Sequence, residues 1–314
     1  MLIRRIIGIS LVLLATLTLF PIAPVVLLLS FLIARTTRLK SFDRAVLFTY
    51  GFLLFEIAGV SRLVWVSIRY HDAAVVQAKS YVVQRWWALG IFHMAARLFN
   101  LNFRISGEEA INGPGAIIIS RHTNIADNVF PLVFVGQPRN APVRYILKRE
   151  LNKIPTLDIG GHRLPNLFID RSGQQTESEL ERVRQLMQTC SEADSLLIYP
   201  EGTRFSAKKH QAIAERPGMR EQTERWPNLL PPRLGGISAI LEVNRDKDAL
   251  FLCHNGFEGS GGISDLLDGS WLNKDIELRF WRIPFDEIGA DPQAFIFSQW
   301  DRMQSELDDM RSKA

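Results

Sequence analysis

The stretch "IIISRHTNIADNVFPLVF", residues 117–134, changes character at its middle. A β-branched apolar run stops at Ser120, and Arg121, His122 and Asp127 follow before apolar residues resume. An unbroken apolar run of this length reads as a strand buried on both faces. Thr123 or Asn124 can cap a helix that follows it. Asp127 then falls in the first helical turn and can reach back to the imidazole of His122. A carboxylate on one ring nitrogen fixes the tautomer and leaves the other nitrogen basic, the base-and-orienter half of a triad. Taken alone, this His-x4-Asp spacing describes equally an Asp at a helix start beside a surface histidine.

Outward from this stretch, short apolar runs alternate with helical patterns. Strands are expected near 103–105, 116–119, 144–147, 167–170, 196–199, 250–253 and 277–281. Helices are expected over 72–99, after His122, and over 177–190, 235–243 and 292–312. Such alternation predicts an α/β sandwich around a largely parallel central sheet. Ligands bind at the carboxyl ends of strands in such sheets. Residues 206–229, rich in charge and proline, read as a surface excursion.

Three more clusters lie at expected strand ends. "FIDRSG" (168–173) ends a strand on Asp170 and Arg171, and the guanidinium fork suits phosphate. "IYPEGTRF" (198–205) follows a strand with Glu201, Gly202, Thr203 and Arg204. Gly admits close backbone approach, and Thr and Arg bind oxyanions. "LLPPRLGG" (229–236) is a proline-stiffened turn with Pro232 and one cation, Arg233, opening a helix. Each of these alone is satisfied by a structural reading: an ion pair, a buried Glu–Arg bridge, a loop entering a helix.

At the other end, Arg4 and Arg5 precede an uncharged run from Ile6 to Ala34, too long for a signal-peptide core. Pro21 and Pro24 break it. Basic residues flank both ends: Arg4 and Arg5, then Arg35, Arg38, Lys40 and Arg44. The positive-inside rule puts both groups on the cytoplasmic side, which favours a kinked hairpin in one leaflet over a tilted span. A second apolar stretch, 45–68, contains Glu56 and Arg62 and reads as an interfacial or protein-packed helix, the two charges paired or facing the catalytic part. The expected division is a membrane-associated segment, 1–70, and an α/β domain, 71–314.

The 314 residues carry a net charge of +4 and are 47% hydrophobic, pointing to an anionic membrane surface. No Cys/His finger, heptad-linked basic region or aromatic RNA-binding strand is present, so no nucleic-acid partner is expected. The two cysteines, Cys190 and Cys253, fit no metal spacing or disulfide framework and read as buried thiols in a reducing compartment. His162 and His254 have no companions at metal-ligand spacing and read as structural; no metal and no cofactor is expected. No Gly-x-Ser-x-Gly elbow occurs.

The four clusters, in this order, resemble the four blocks of the glycerolipid acyltransferase superfamily, which includes lysophosphatidic acid and glycerol-3-phosphate acyltransferases. The resemblance covers about residues 100–255, and Pro200-Glu201-Gly202-Thr203-Arg204 and Phe168-Ile169-Asp170-Arg171 carry it most specifically. Arg121 stands where the family usually has Asn, and Asn124 where Ser is common. Lys209, His210 and Arg233 look like the lysophospholipid and lysocardiolipin remodelling branch.

The resemblance implies acyl transfer from acyl-CoA or acyl-carrier protein to a lysophospholipid hydroxyl at a cytoplasm-facing membrane. His122 would be the base and Asp127 its orienter. Arg171 and Arg204 would bind the acceptor phosphate with Asp170, Thr203 and the Gly202 backbone nearby. Glu201 would place the glycerol hydroxyl or fix Arg204, and Pro232 and Arg233 would grip acyl chain or headgroup. Two other readings stay open: a catalytically silent lipid-binding protein on the same fold, and a lipid or thioester hydrolase.

Overall fold

A computed structural model of the chain describes residues 1–169, 176–258, 262 and 264–313. Helices follow in chain order as α1 (Leu2–Leu19), α2 (Ala23–Thr36), α3 (Phe42–Arg69), α4 (Ala73–Phe99), α5 (Gln137–Arg139), α6 (Pro155–Gly161), α7 (Glu177–Gln188), α8 (Ala207–Ala214), α9 (Arg220–Arg225), α10 (Leu234–Val243), α11 (Asp265–Asp268) and α12 (Pro292–Ser312). The strands are β1 (Asn102–Ser106), β2 (Ile117–Ser120), β3 (Val143–Lys148), β4 (Leu167–Ile169), β5 (Ser195–Ile198), β6 (Ala249–Asn255) and β7 (Asp275–Ile283). All seven expected strands are present, shifted by a residue or two at their ends. The expected end of the fourth, Asp170, lies outside the described residues.

Contacts divide the chain into two compact units. One comprises Met1–Asn102, Leu147–Phe168 and Gly262–Lys274, so α4 groups with α1–α3. Pro21 lies in the break between α1 and α2, and α2 carries a proline in its first turn, where the missing N–H is an orphan anyway. Tyr50 Oη donates to the Leu19 carbonyl, satisfying one of the free acceptors at the end of α1. Leu2, Ile6, Leu11, Leu14 and Leu17 of α1 and Val25, Leu28 and Leu32 of α2 are exposed. By length and composition, α1 and α3 are long and apolar enough to cross a membrane.

Buried residues on α3 recur at three or four positions (Leu53, Glu56, Gly59, Leu63, Val66), which makes one helical face. Gly90 of α4 lets α3 come close, since a Cβ there would stand 2.2 Å from a ring carbon of Phe55. Glu56 and Arg62 do not pair. Six residues of helix separate side chains by about 240° around the axis, so the two cannot meet. Glu56 is buried and accepts from the Thr156 backbone N–H at 3.1 Å, at the start of α6. The Arg62 guanidinium lies over the Trp86 ring at 3.5 Å. Arg4 grips the buried carboxylate of Asp158 with two hydrogen bonds, at 2.6 and 3.1 Å, and His162 Nδ1 stands 3.1 Å from the same carboxylate.

The other unit comprises Phe103–Ile146, Ile169–Gly261 and Asp275–Ala314. The strand order is β1-β7-β6-β2-β5-β3-β4. β2 runs parallel to β5 on one side and to β6 on the other, β3 runs parallel to β5, and β7 returns antiparallel to β6. β2 and β5 are buried at every residue, as their unbroken apolar runs require. Register aligns Ile119 with Ile198 and Ser120 with Leu252. The carboxyl ends of β2, β5 and β6 therefore stand side by side. After β5 the chain crosses β2 to enter β6, the topological switch at which α/β sheets open a ligand crevice.

One expectation is corrected here. The helix after His122 is not a regular α-helix: a 3₁₀ turn (Ala126–Val129) passes into a π-helical turn (Pro131–Gly136) and then α5. Pro131 has no N–H to give to the preceding turn, so the ladder shifts there. The segment 206–229 is a surface excursion with structure of its own. It forms α8 and α9 and buries Trp226 completely, whose Nε1 donates to Asp301 of α12 at 2.9 Å. α12 is amphipathic. Phe295, Trp300, Met303, Leu307 and Met310 are buried, and the Trp300 Nε1 donates to the Leu230 carbonyl at 3.1 Å.

Candidate active site

His122 leaves the end of β2 with its side chain only 7% exposed. Its Nδ1 lies 2.8 Å from Asp127 Oδ1. The other carboxylate oxygen, Oδ2, accepts from the backbone N–H of Thr123 at 2.7 Å and of Asn124 at 2.8 Å. Asn124 Oδ1 in turn accepts from Ala126 N–H at 2.9 Å, closing the short turn that aims Asp127 backwards. Burial pushes the Asp127 carboxyl up. The pull of the His122 imidazole, the flanking His254 ring and the N–H of Asn124 outweigh it and hold the group below its ordinary value. An ionised Asp127 makes Nδ1 of His122 the protonated nitrogen and leaves the Nε2 lone pair as base.

Glu201, expected to place a hydroxyl or Arg204, is used inside the protein. One oxygen accepts from His122 N–H at 2.7 Å, the other from Leu230 N–H at 3.0 Å. Phe205 N–H donates to the His122 carbonyl at 2.7 Å, and Arg233 N–H to the Pro200 carbonyl at 2.8 Å. Three of the four sequence blocks are thus sewn together around one carboxylate. Gly202 has φ +68, and a Cβ there would lie 2.8 Å from Arg233 Cδ, so the backbone must be bare for the Arg233 stem to cross it. Arg233 is exposed and Pro232 buried. Thr203 Oγ1 accepts from Lys209 Nζ at 2.9 Å, and the Arg204 carbonyl accepts from the same ammonium at 2.8 Å. Asp170 and Arg171 lie outside the described residues.

Burial pushes the Glu201 carboxyl up to about 7, against the pull of the Arg121 charge and the N–H groups of His122 and Leu230. The folded protein therefore holds this proton more tightly than the unfolded chain, where the ordinary value is 4.5. Its contribution to stability is full below about 4.5 and is lost as pH rises through about 7. Urea midpoints of the wild type and Glu201→Gln, taken from pH 4.5 to 8, should diverge over that window, the wild type losing stability relative to the amide. Parallel curves would show that Glu201 stays ionised throughout.

Two side chains packed at the site were not among the expected site residues. The ring of Tyr199 stacks on His122 at 4.3 Å with planes 23° apart, and its Oη donates to the Asp127 carbonyl at 3.0 Å. Only the β2–β5 pairing brings it there. Arg121 is completely buried and donates to the carbonyls of His254 and Asn228 and to Glu258, whose carboxyl it holds down at about 2 although burial opposes that. Cys253 is buried, which raises its thiol to about 12, and burial raises Cys190 too. Among the described residues no group of three or more His, Cys, Asp or Glu side chains is placed to hold a metal ion.

Residues 102–243 match the family described as Acyltransferase. Lysocardiolipin acyltransferase 1 of Gallus gallus is 25% identical over 185 residues, 55% of this chain. The match spans 46% of that relative, about half its length. The crystal structure of the 1-acyl-sn-glycerophosphate (LPA) acyltransferase PlsC from Thermotoga maritima aligns with a TM-score of 0.56, covering 85% of this chain and 96% of that one. At 14% identity that likeness is one of fold. The region that matches the Acyltransferase family, Asn102 to Val243, is the one that supplies His122, Asp127 and the Glu201 loop.

Proposed function

We propose that the protein is a membrane-bound O-acyltransferase that moves a fatty acyl group from acyl-CoA or acyl-carrier protein to a free hydroxyl of a lysophospholipid. The observation that carries this reading is the buried Asp127–His122 pair, which leaves one basic imidazole nitrogen at the carboxyl end of a central strand. The acceptor hydroxyl oxygen attacks the thioester carbonyl carbon and gives its proton to His122 Nε2. The tetrahedral intermediate then expels the thiolate as the C–S bond breaks, and His122 returns the proton to that sulfur. Asp127 stabilises the imidazolium in between. The acceptor supplies the nucleophile, so no acyl-enzyme forms.

Arg171 and Arg204 bind the acceptor phosphate in this reading, with Thr203 and the Gly202 backbone beside them, and Arg233 meets headgroup or chain. The apolar faces of α1 and α2 enter the lipid, and the acyltransferase domain faces the cytoplasm, where the polar donor arrives.

The test is an assay of the purified full chain in lipid vesicles with lysophosphatidate, lysophosphatidylglycerol and lysocardiolipin as acceptors and both thioester types as donors. His122→Ala serves as the inactive control. Ester product that depends on a lysolipid is the expected result. Thioester loss at the same rate without acceptor would replace the reading with a hydrolase, and no turnover of any kind with a silent lipid-binding protein.

A further inference from the structure

A second histidine stands behind the first. His254 is on β6, completely buried, in a strand otherwise made of Ala, Leu, Phe, Leu and Cys up to that point. Its Nε2 donates to the Arg121 carbonyl at 3.2 Å and lies 3.5 Å from Asp127 Oδ2, the oxygen turned away from His122. Its Nδ1 is buried and, among the described residues, has no hydrogen-bond partner. The edge of Phe130 closes on the ring at 5.5 Å. A buried, half-satisfied imidazole is costly in such a strand, where Val or Leu would fill the space at no polar cost.

The arrangement fixes the protonation state of this ring. Nε2 must carry a hydrogen to serve the Arg121 carbonyl. A second proton, on Nδ1, would find no acceptor among the described residues, and the Arg121 charge opposes it. Burial accordingly holds the His254 imidazole below its ordinary value despite the nearby Asp127. His254 thus offers Asp127 an N–H dipole without a neutralising charge. The charged and titratable groups facing it are Asp127 from the 3₁₀ turn, Arg121 from the end of β2 and Glu258 beyond β6; Glu201 and Tyr199 face His122.

From this juxtaposition we infer that His254 is a positioning residue for acyl transfer, its neutral Nε2–H bracing the rear oxygen of Asp127 so that the carboxylate keeps both its charge and its aim for His122. The inference rests on the proposed function. A cation at position 254 would drain the charge that Asp127 lends to the His122 imidazolium, and an apolar residue would leave Oδ2 to two backbone N–H groups alone.

The test compares His254→Gln and His254→Asn in the full chain. A glutamine amide reaches the place of ring Nε2; an asparagine amide stops at that of Nδ1. His254→Gln should keep kcat within about threefold, whereas His254→Asn should lose about tenfold or more with KM little changed, part of the ~10²–10⁴ a general base supplies. The acid limb of kcat/KM should move to higher pH in the asparagine variant only, by about half a unit, because a carboxylate relieved of the nearby N–H dipole holds the imidazolium more tightly. Glu201 is common to all three chains, so its own titration cancels in the comparison.

Losses that track thermal stability with no displacement of the acid limb would reduce His254 to a packing residue. So would equal behaviour of the two variants. If His254→Asn does not fold, His254→Gln decides alone: a tenfold loss in a folded chain overturns the inference, and a retained profile supports it. The proton resonance of His122 Nδ1–H, followed in substrate-free ¹⁵N-histidine protein, should shift in the asparagine variant and stay in place in the glutamine one. That signal needs no turnover, so a wild type without transferase activity would sink the proposed function and leave the role of His254 separately decided.

Discussion

Replacing Asp127 by asparagine is expected to lower kcat by about 10⁴, the scale set when a triad histidine is forced into the wrong tautomer. The geometry dictates which way the amide turns. Oδ2 accepts two backbone N–H groups, from Thr123 and Asn124, so the amide oxygen must stay on that side. The NH₂ group then faces His122 Nδ1 across the present 2.8 Å contact. Nδ1 becomes an acceptor, the hydrogen moves to Nε2, and the lone pair that should take the hydroxyl proton is gone. His122→Ala removes the base outright and should cost ~10²–10⁴. The double variant should be no worse than the poorer single one, since the two residues act as one device. Thioester consumption under saturating lysolipid, with thermal midpoints within a few degrees of wild type, makes the check. An Asp127→Asn enzyme within tenfold of wild type would remove the base from His122.

Glu201→Ala should be nearly as damaging and for a different reason. It strips the partner from two buried N–H groups, those of His122 and Leu230. Each such orphan costs ~1–3 kcal/mol, so roughly 2–6 kcal/mol is expected before the relief of no longer burying a carboxyl. The same cut leaves His122 tied to the segment after β5 through the Phe205 N–H, and a shift of about 1 Å at a reacting group can cost ~10²-fold. Glu201→Gln keeps one acceptor and should fall well short of both losses. Urea unfolding and kcat measured on the two variants separate this scaffold role from contact with the glycerol. If alanine spoiled KM while leaving stability and kcat alone, Glu201 would belong to the substrate instead.

Much of this was legible in the chain. Continuous apolar runs at 116–119 and 196–199 announce strands buried on both faces, and the polar clusters sit where such strands stop. What could not be read is which strands become neighbours. Tyr199 and His254 gain their meaning only because β5 and β6 flank β2, a pairing between segments about 80 and 130 residues away from it that no local spacing encodes. Glu201 was legible as functional but not as a bracket, since its partners are backbone N–H groups, which carry no residue-type signal. The α3 charges failed as a pair because composition was read without helical angle; Glu56 and Arg62 answer to Thr156 and Trp86 separately.

The clamp between Arg4 and Asp158 bears on how the protein can be handled. Trimming the first 22 residues is the obvious way to shed grease before purification. It would also withdraw both guanidinium groups from a carboxylate that is 1% exposed and has His162 Nδ1 3.1 Å away. A shortened chain is therefore expected to loosen around 147–168 rather than merely become more soluble.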